Sequence, residues 1–433
     1  MLVQAETDPL VGLARAAMPW AEFRPLIQSV IARNPAVGER TADAAEALAY
    51  RREAKSALFP TVDLVFASNR ALARNFSNDP DNVVERSRGK GRVDANASAQ
   101  LLLFDFGATR RRIDAATARI EGSNADLDRA REAVALRAIG AWYDRFATSE
   151  MVSLARSHLA QLEGLRPAVD MRIRQGVSAP IERSRLTAII ASARATLAGF
   201  ERQRANAEAR YGELFGEEAA APMVRLPAPE QGVQSRDLIV HMASTSPLVV
   251  AAEAEARAAR AEAQASRSQR LPSVSLGVDA GRFGLFEQGR TDYDVRARVT
   301  VRQSLFGPGA ARSDQAKARA DSALYRADSV RAEAAREAAI AWSDVQALDQ
   351  LLAAREADYL ASRQLRDAET ERFRLYRGTL FDVIDTQERA YAGAAAYLQV
   401  MSELDTARYV VLARSGQLLT SLGLEKAWGG QIR

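Results

Sequence analysis

The sequence predicts a mainly helical chain that carries two alternating β-hairpins and is built from one module written twice. Three observations predict it. Landmarks recur at a nearly fixed spacing, long Ala/Arg/Glu-rich stretches carry a seven-residue apolar period, and segments of about ten residues alternate apolar and polar side chains between them.

The repeat comes first because it organises the rest. Asn34-Pro35 is answered by Ser246-Pro247, and Leu58-Phe59-Pro60 by Leu271-Pro272, both 212 residues on. Farther along, Leu103-Phe104 pairs with Leu305-Phe306 and Gln175-Gly176 with Arg377-Gly378, now 202 residues apart. The change of offset places one longer loop in the first copy. A unit of this size is far too long for a solenoid repeat. The spacing divides the chain into an N-terminal segment (1–19), a first repeat (20–216), a linker (217–235) rich in Pro and Gly, a second repeat (236–424) and a tail (425–433).

The long helices follow from composition and period. From Gly107 to about Ile173 the only proline is Pro167, and Ile113, Ile120, Leu127 and Val134 form a heptad seam. From about Ala310 to Leu375 there is no proline, and Ala316, Ala323 and Val330 keep the same interval. At ~1.5 Å per residue such a helix spans roughly 100 Å. Each is expected to turn back at a glycine with positive φ, at Gly176 and at Gly378. After the first, Ser178 reads as an N-cap with Pro180 in the first turn; after the second, Thr379 and Asp382 are spaced as a capping box. Returning helices are expected over about 178–211 and 379–419, shorter helices over 36–58 and 248–270, and short amphipathic stretches over 20–33 and 236–244.

The intervening segments read as strands. Tyr293–Arg302 and Val93–Leu101 alternate cleanly, Val274, Leu276, Val278 and Ala280 alternate with polar or small residues, and Thr61 to about Phe76 completes the set. Each pair forms a hairpin, with polar tips around 77–91 and 287–291. Alternation alone also suits a soluble hairpin with one face on a core. Ten-residue strands with one apolar and one charged or hydroxylated face fit a transmembrane barrel wall, and four strands are too few to close one, so several copies must pool them.

Composition removes other classes. Lys plus Arg number 59 against 55 Asp plus Glu, interleaved along the chain, which disfavours a nucleic-acid binder with its concentrated basic patch. There is no cysteine, and His158 and His241 stand far apart, so no thiolate site, disulfide or metal-ligand set is expected. Phosphate loops and histidine triads are absent, which argues against an enzyme. Val3-Gln4-Ala5 before Glu6 has the small-residue look of an export cleavage site.

In order and twice over, these landmarks resemble the TolC-like family of outer-membrane export channels. Phe104-Asp105-Phe106-Gly107 and Phe306-Gly307-Pro308-Gly309 at the helix entries, the run Gly378-Thr379-Leu380-Phe381-Asp382-Val383-Ile384-Asp385 at the second tip, and the closing Gly216 and Gly423 add to the resemblance, which covers about residues 20–424. It implies a homotrimer whose twelve pooled strands form one barrel in outer-membrane lipid, continued by a helical tunnel through the periplasm of a Gram-negative bacterium. It implies a water-filled conduit without active site, cofactor or metal. The partners it implies are a periplasmic adaptor (membrane fusion) protein and an inner-membrane pump of ABC or RND type.

By position, the resemblance assigns Asp382 and Asp385 to acidic rings at the pore constriction; the alternative is that both simply favour a helix N-terminus. Glu182 falls where the family latches its entrance. Phe373 and Gly378 replace the family's hydroxylated aromatic and arginine, which leaves Arg374 and Arg377 as substitute partners and a solvated Glu182 as the alternative. Gly176, Val177, Ser178, Gly378 and Thr379 are the implied adaptor-docking turns. For cargo, the tip sequence and the lack of a lipidated cysteine point to type I protein secretion; small-molecule efflux and, outside transport, a soluble coiled-coil scaffold are the alternatives.

Overall fold

The structure, a computed structural model, describes residues 8–73, 91–216, 223–229, 235–286 and 292–427. The suggested cleavage site, most of the two hairpin tips and parts of the linker and tail lie outside the described residues. In chain order the elements are α1 (Pro9–Arg15), α2 (Trp20–Arg33), α3 (Pro35–Ser56), β1 (Thr61–Arg70), β2 (Gly91–Phe104), α4 (Ala108–Glu163), α5 (Arg166–Arg174), α6 (Ile181–Phe215), α7 (Arg236–Ala243), α8 (Pro247–Ser268), β3 (Ser273–Phe283), β4 (Asp292–Arg302), α9 (Gly309–Arg374), α10 (Leu380–Arg414) and α11 (Leu418–Ser421). The chain divides into two compact units. The expected mainly helical chain with a small β part is what the elements form.

One unit comprises residues 43–123 and 251–328 and holds the strands. The two expected hairpins join, through β2 and β3, into one antiparallel sheet of order β1-β2-β3-β4. The register sorts the side chains. Val62, Leu64 and Phe66 share a face with Ala95, Ala97, Ala99 and Leu101, with Leu276, Val278 and Ala280, and with Val295, Ala297, Val299 and Val301. The opposite face carries Asp63, Asn96, Ser98, Gln100, Asp279, Arg296, Arg298 and Thr300. A period of two places most of the apolar residues on one side, Val65 (opposite Asn96) and Leu102 (opposite Ser275) being exceptions, and a one-residue slip would reverse the pattern. Among the described residues nothing covers the outer part of the apolar side: Phe66 is 74% exposed and Val301 66%.

At the sheet's base Asp105 fixes the start of α4, its carboxylate accepting from the amides of Gly107 (3.0 Å) and Thr109 (2.7 Å). Alongside, α8 buries Ala254, Ala258 and Ala265; Ala254 lies 3.5 Å from where a side chain at Gly122 would begin, so small residues let α4 and α8 pack closely. Ion pairs Arg257–Glu121 (2.9 Å) and Arg119–Glu262 flank that seam.

The other unit comprises residues 8–42, 124–250 and 329–427 and is helical. Its main core gathers Phe23 and Ile27 of α2, Trp142, Tyr143 and Phe146 of α4, Tyr211 and Phe215 of α6, and Tyr397, Leu398 and Tyr409 of α10. The described linker residues are fastened to it. Arg225 donates twice to Asp405 (2.8 and 2.7 Å), Tyr143 Oη donates to the same carboxylate (3.0 Å), and Trp142 Nε1 donates to the Val224 carbonyl (2.8 Å). Burial first, then Asp405, pushes the Tyr143 phenol well above its ordinary range.

The heptad residues Ile113, Ile120, Leu127 and Val134 are all buried, whereas Ala316, Ala323 and Val330 are half-buried. Two helix expectations need correction. The first long helix breaks: α4 ends at Glu163 and α5 starts at Arg166. A helical Pro167 would press its ring on the carbonyl four residues back, that of Glu163, where α4 stops. Gly164 favours the turn between them. The last helix ends at Arg414 rather than near 419, because Gly416 takes φ +68° and the Gln417 amide bonds back to Leu412 O (2.7 Å). A Cβ at Gly416 would sit 3.0 Å from Ser246 Cα, so position and conformation both require glycine.

Candidate functional site

The residues expected to line and guard an entrance lie at the two helical turns, α5–α6 and α9–α10. A separate core draws these together: Leu162, Leu165 and Val169 from the first arm, Leu186 and Ile190 from α6, and Phe373, Leu380, Val383 and Ile384 around the second turn. Phe373 is thus a buried packing residue.

The first turn follows local rules with one departure. Gly176 takes φ +76° with open space around it, and Val177 N donates to Arg172 O (2.9 Å). Ser178 is not the helix cap, however. Pro180 occupies the N-cap position in helical conformation, and the Ser178 hydroxyl accepts from Arg172 Nε (3.3 Å). At the second turn the left-handed residue is Tyr376 (φ 62°), not Gly378. Such a conformation costs a non-glycine residue about 1–2 kcal/mol. The turn bonds Tyr376 N to Phe373 O (3.1 Å) and Arg377 N to Arg372 O (2.9 Å) hold it.

The acidic pair lies at the start of α10 on neighbouring helical positions. Thr379 and Asp382 form the expected capping box: the Asp382 amide donates to Thr379 Oγ1 (3.2 Å), and the Thr379 amide (3.2 Å) and hydroxyl (2.7 Å) donate to Asp382 Oδ2. Those hydrogen bonds hold the Asp382 carboxyl below its ordinary range. Asp385 pairs with Arg389 one turn on (2.9 Å). Asp382 therefore has a local structural role, and Asp385 a local counter-charge. Both carboxylates remain partly accessible beside exposed Phe381.

The other expected residues are not joined to one another among the described residues. Arg374 makes only a long contact with Glu371 (3.9 Å), and among the described residues no ion pair links Arg374 or Arg377 to Glu182. Glu182 Oε2 is buried and has no hydrogen-bond partner among the described residues.

The residue that does connect the turns is Arg172, which sequence reasoning missed. Its guanidinium is buried, donates to Phe373 O (3.2 Å) and Gly378 O (3.0 Å), and lies 4.5 Å from the Phe373 ring centroid and 5.7 Å from that of Tyr376. One cation thereby ties the first turn to the second by charged hydrogen bonds and ring contacts. A signal was present: Leu165, Val169 and Arg172 follow a 4-then-3 spacing, which places an arginine on an apolar stripe.

Among the described residues no group of three His, Asp or Glu side chains could hold a metal, and no helix is long and apolar enough to cross a membrane.

Comparison with known proteins places this geometry. The pattern of the outer membrane efflux protein family matches residues 26–217 and 238–417. A pyoverdine export outer membrane protein of Pseudomonas putida is 26% identical over 386 residues, covering 84% of this chain and 76% of that protein. Among solved structures, the outer membrane protein VceC of Vibrio cholerae superimposes with a TM-score of 0.79 at 19% identity, covering 92% of this chain and 96% of that one. The outer-membrane channel OprN gives 0.77 at 21% identity, over 93% and 90%. The Neisseria gonorrhoeae MtrE channel gives 0.74 at 22%, over 91% and 89%. These likenesses share the helical body and small sheet described above.

Proposed function

Because this chain belongs to the outer membrane efflux protein family, we propose that three copies of it form one duct, the exit of a tripartite export system. As a member it is a transport channel of the outer membrane rather than an enzyme, with its helical part in the periplasm. The observation that supports the assembly is the sheet: four strands, an uncovered apolar face, and outer edges of β1 and β4 that find no partner among the described residues. Lipid does not tolerate open strand edges. Two copies would give eight strands, whose interior side chains fill; three give twelve, with room for water.

In that assembly the apolar face meets lipid and the face of Asp63, Ser98, Asp279 and Arg298 lines the lumen. Asp382 and Asp385 form acidic rings at the periplasmic entrance. The turns at Gly176, Val177 and Ser178 and at Gly378 and Thr379 receive the periplasmic adaptor, behind which stands an ABC or RND pump. Arg172, rather than Arg374 or Arg377, clasps the entrance within each copy. Glu182, with its unpartnered oxygen, is left to meet a neighbouring chain.

For cargo we infer efflux rather than the type I protein secretion expected from the tip sequence, because the family's description and the relative's role in pyoverdine export both favour it. The test is direct. Purified full-length protein in detergent should have three times the 47.1 kDa chain mass by native mass spectrometry and form discrete channels in planar bilayers. A water-soluble monomer without conductance overturns the assembly.

A further inference from the structure

The helical unit contains a cleft of about 670 Å³ that the channel reading does not use. Its walls come from the start of α3 (Ala36, Glu39, Arg40), the middle of α4 (Asp126 to Leu136), the start of α8 (Ser246, Leu248) and the facing parts of α9 and α10 (Glu337, Arg414). The volume suits a small ligand.

Two buried polar atoms lining it are unsatisfied. Glu132 is 8% exposed and, among the described residues, its Oε1 accepts no hydrogen bond; Ser246 is 5% exposed and its Oγ has no partner among them either. Buried polar groups are almost always paired, and an orphaned one carries an uncompensated desolvation penalty. The neighbouring charges are already engaged. Arg129 pairs with Asp126 (2.7 Å), Arg414 with Glu337 (2.8 Å), and Arg40, Asp128 and Lys426 also have partners. Ala36, Ala130, Ala133, Leu136, Leu248 and Ala413 supply apolar wall between these groups.

We propose that this cleft binds a cationic nitrogen on a hydrocarbon stem, an ammonium or guanidinium that donates to Glu132 Oε1 and Ser246 Oγ while its stem lies on the alanine and leucine wall. An acceptor without a donor calls for a donor. The cleft's own cations are committed, so the donor must come from outside. An anion is disfavoured, because Glu132, Asp126, Glu39 and Glu337 face the same space. The protonation of Glu132 agrees with this. Burial raises the Glu132 acid to about 8, with Asp128 adding to the effect, and Lys426, Arg129 and Arg414 offset only part of it. A cation entering at neutral pH would replace that proton. The nitrogen belongs either to a free organic amine or to a lysine or arginine of an adjoining copy, and the experiment separates the two.

Assembled full-length protein in detergent is titrated calorimetrically with n-hexylamine and, as the uncharged counterpart, n-hexanol, at pH 7 in two buffers of different ionisation enthalpy. Hexylamine should bind at least tenfold more tightly than hexanol and release close to one proton. Glu132→Gln, nearly isosteric, should weaken amine binding at least tenfold and abolish the release; Ser246→Ala should weaken it less. Equal affinity for both probes, or amine binding unchanged in Glu132→Gln, overturns the site. If the parent binds no amine, thermal dissociation of the oligomer decides. An oligomer that falls apart at lower temperature in Glu132→Gln assigns the cation to the adjoining copy, and identical dissociation overturns the proposal.

Discussion

Replacing Arg172 with methionine keeps an unbranched stem against Phe373 and removes the guanidinium that joins the two turns. The lost interactions are the charged hydrogen bonds to Phe373 O (3.2 Å) and Gly378 O (3.0 Å), that to Ser178 Oγ (3.3 Å), and the stacking over Phe373 at 4.5 Å. Hydrogen bonds from a charged donor contribute about 1.5–3 kcal/mol each, and a desolvated ring contact about 1–2 kcal/mol. Methionine recovers part of this, because a buried guanidinium carries its own desolvation cost. A net loss of about 3 kcal/mol is expected, roughly a hundredfold in the local opening equilibrium.

Hydrogen exchange locates the effect. Amides over 172–182 and 372–385 should lose protection together, since one side chain serves both turns, while those around Trp142 and Tyr409 in the main core remain unchanged. Channels formed by the variant should open more often or conduct more. Unchanged exchange at both turns, or loss at only one, would refute the clasp. Arg172→Lys separates charge from geometry: one ammonium cannot reproduce the fork that meets two carbonyls, so it should rescue only partly.

Changing Asp382 and Asp385 together to Asn should lower cation preference in bilayer reversal-potential measurements, and an unchanged preference removes them from the pore. Because hydrogen bonds from Thr379 hold the Asp382 carboxyl below its ordinary range, the share of that preference due to Asp382 should persist on acidification and fade only as pH falls through the lowered pKa, beneath the ordinary aspartate range. Gly416→Ala forces a Cβ to 3.0 Å from Ser246 Cα at φ +68°, for an expected loss of about 2–3 kcal/mol in denaturant unfolding. Glu132 gives the opposite pH sign from Asp382. Its folded pKa, about 8, exceeds the ordinary glutamate value of 4.5, so its contribution is fully present below pH 4.5 and is lost as pH rises to 8. Glu132→Gln should flatten the fall in thermal stability across that window, and an undiminished slope would assign it to another group.

What was legible in the sequence was local or periodic. The heptad seam through Ile113, Ile120, Leu127 and Val134 needs only an apolar side chain every second turn, and all four are buried. The capping box at Thr379 and Asp382 is complete within four residues, and the structure forms it as read. Strand faces follow from alternation, so the split between Val295, Val299, Val301 and Arg296, Arg298, Thr300 was already written. The joining of β2 to β3 was not, because the pair Ala97 and Ala280 lies far apart in sequence and nothing local specifies the register. The break after Glu163 was readable from Pro167 but was outweighed by the surrounding helix-forming composition. Ser178 shows the reverse error: its hydroxyl fits a cap in sequence, yet Arg172 engages it instead. Arg172 went unnoticed because its partners are backbone carbonyls of another segment, which no residue type advertises.

The sheet makes the fold of one copy incomplete. On an antiparallel edge, alternate residues turn both backbone groups outward, so β1 and β4 each leave about five N–H and five C=O groups unpaired. In lipid each would cost several kcal/mol, a total of tens of kcal/mol that far exceeds the usual stability of a domain, about 5–15 kcal/mol. Side-chain chemistry on the two faces cannot remove that cost; only β1 of one copy pairing with β4 of the next can. In the assembly proposed above, insertion and association are therefore one step. The apolar face of Val62, Leu64, Phe66 and Val301 becomes stable in the membrane only when the edges close. In the proposed assembly that closure brings Asp279 and Arg298, already joined at 2.8 Å, round to the enclosed side, where water remains to solvate them.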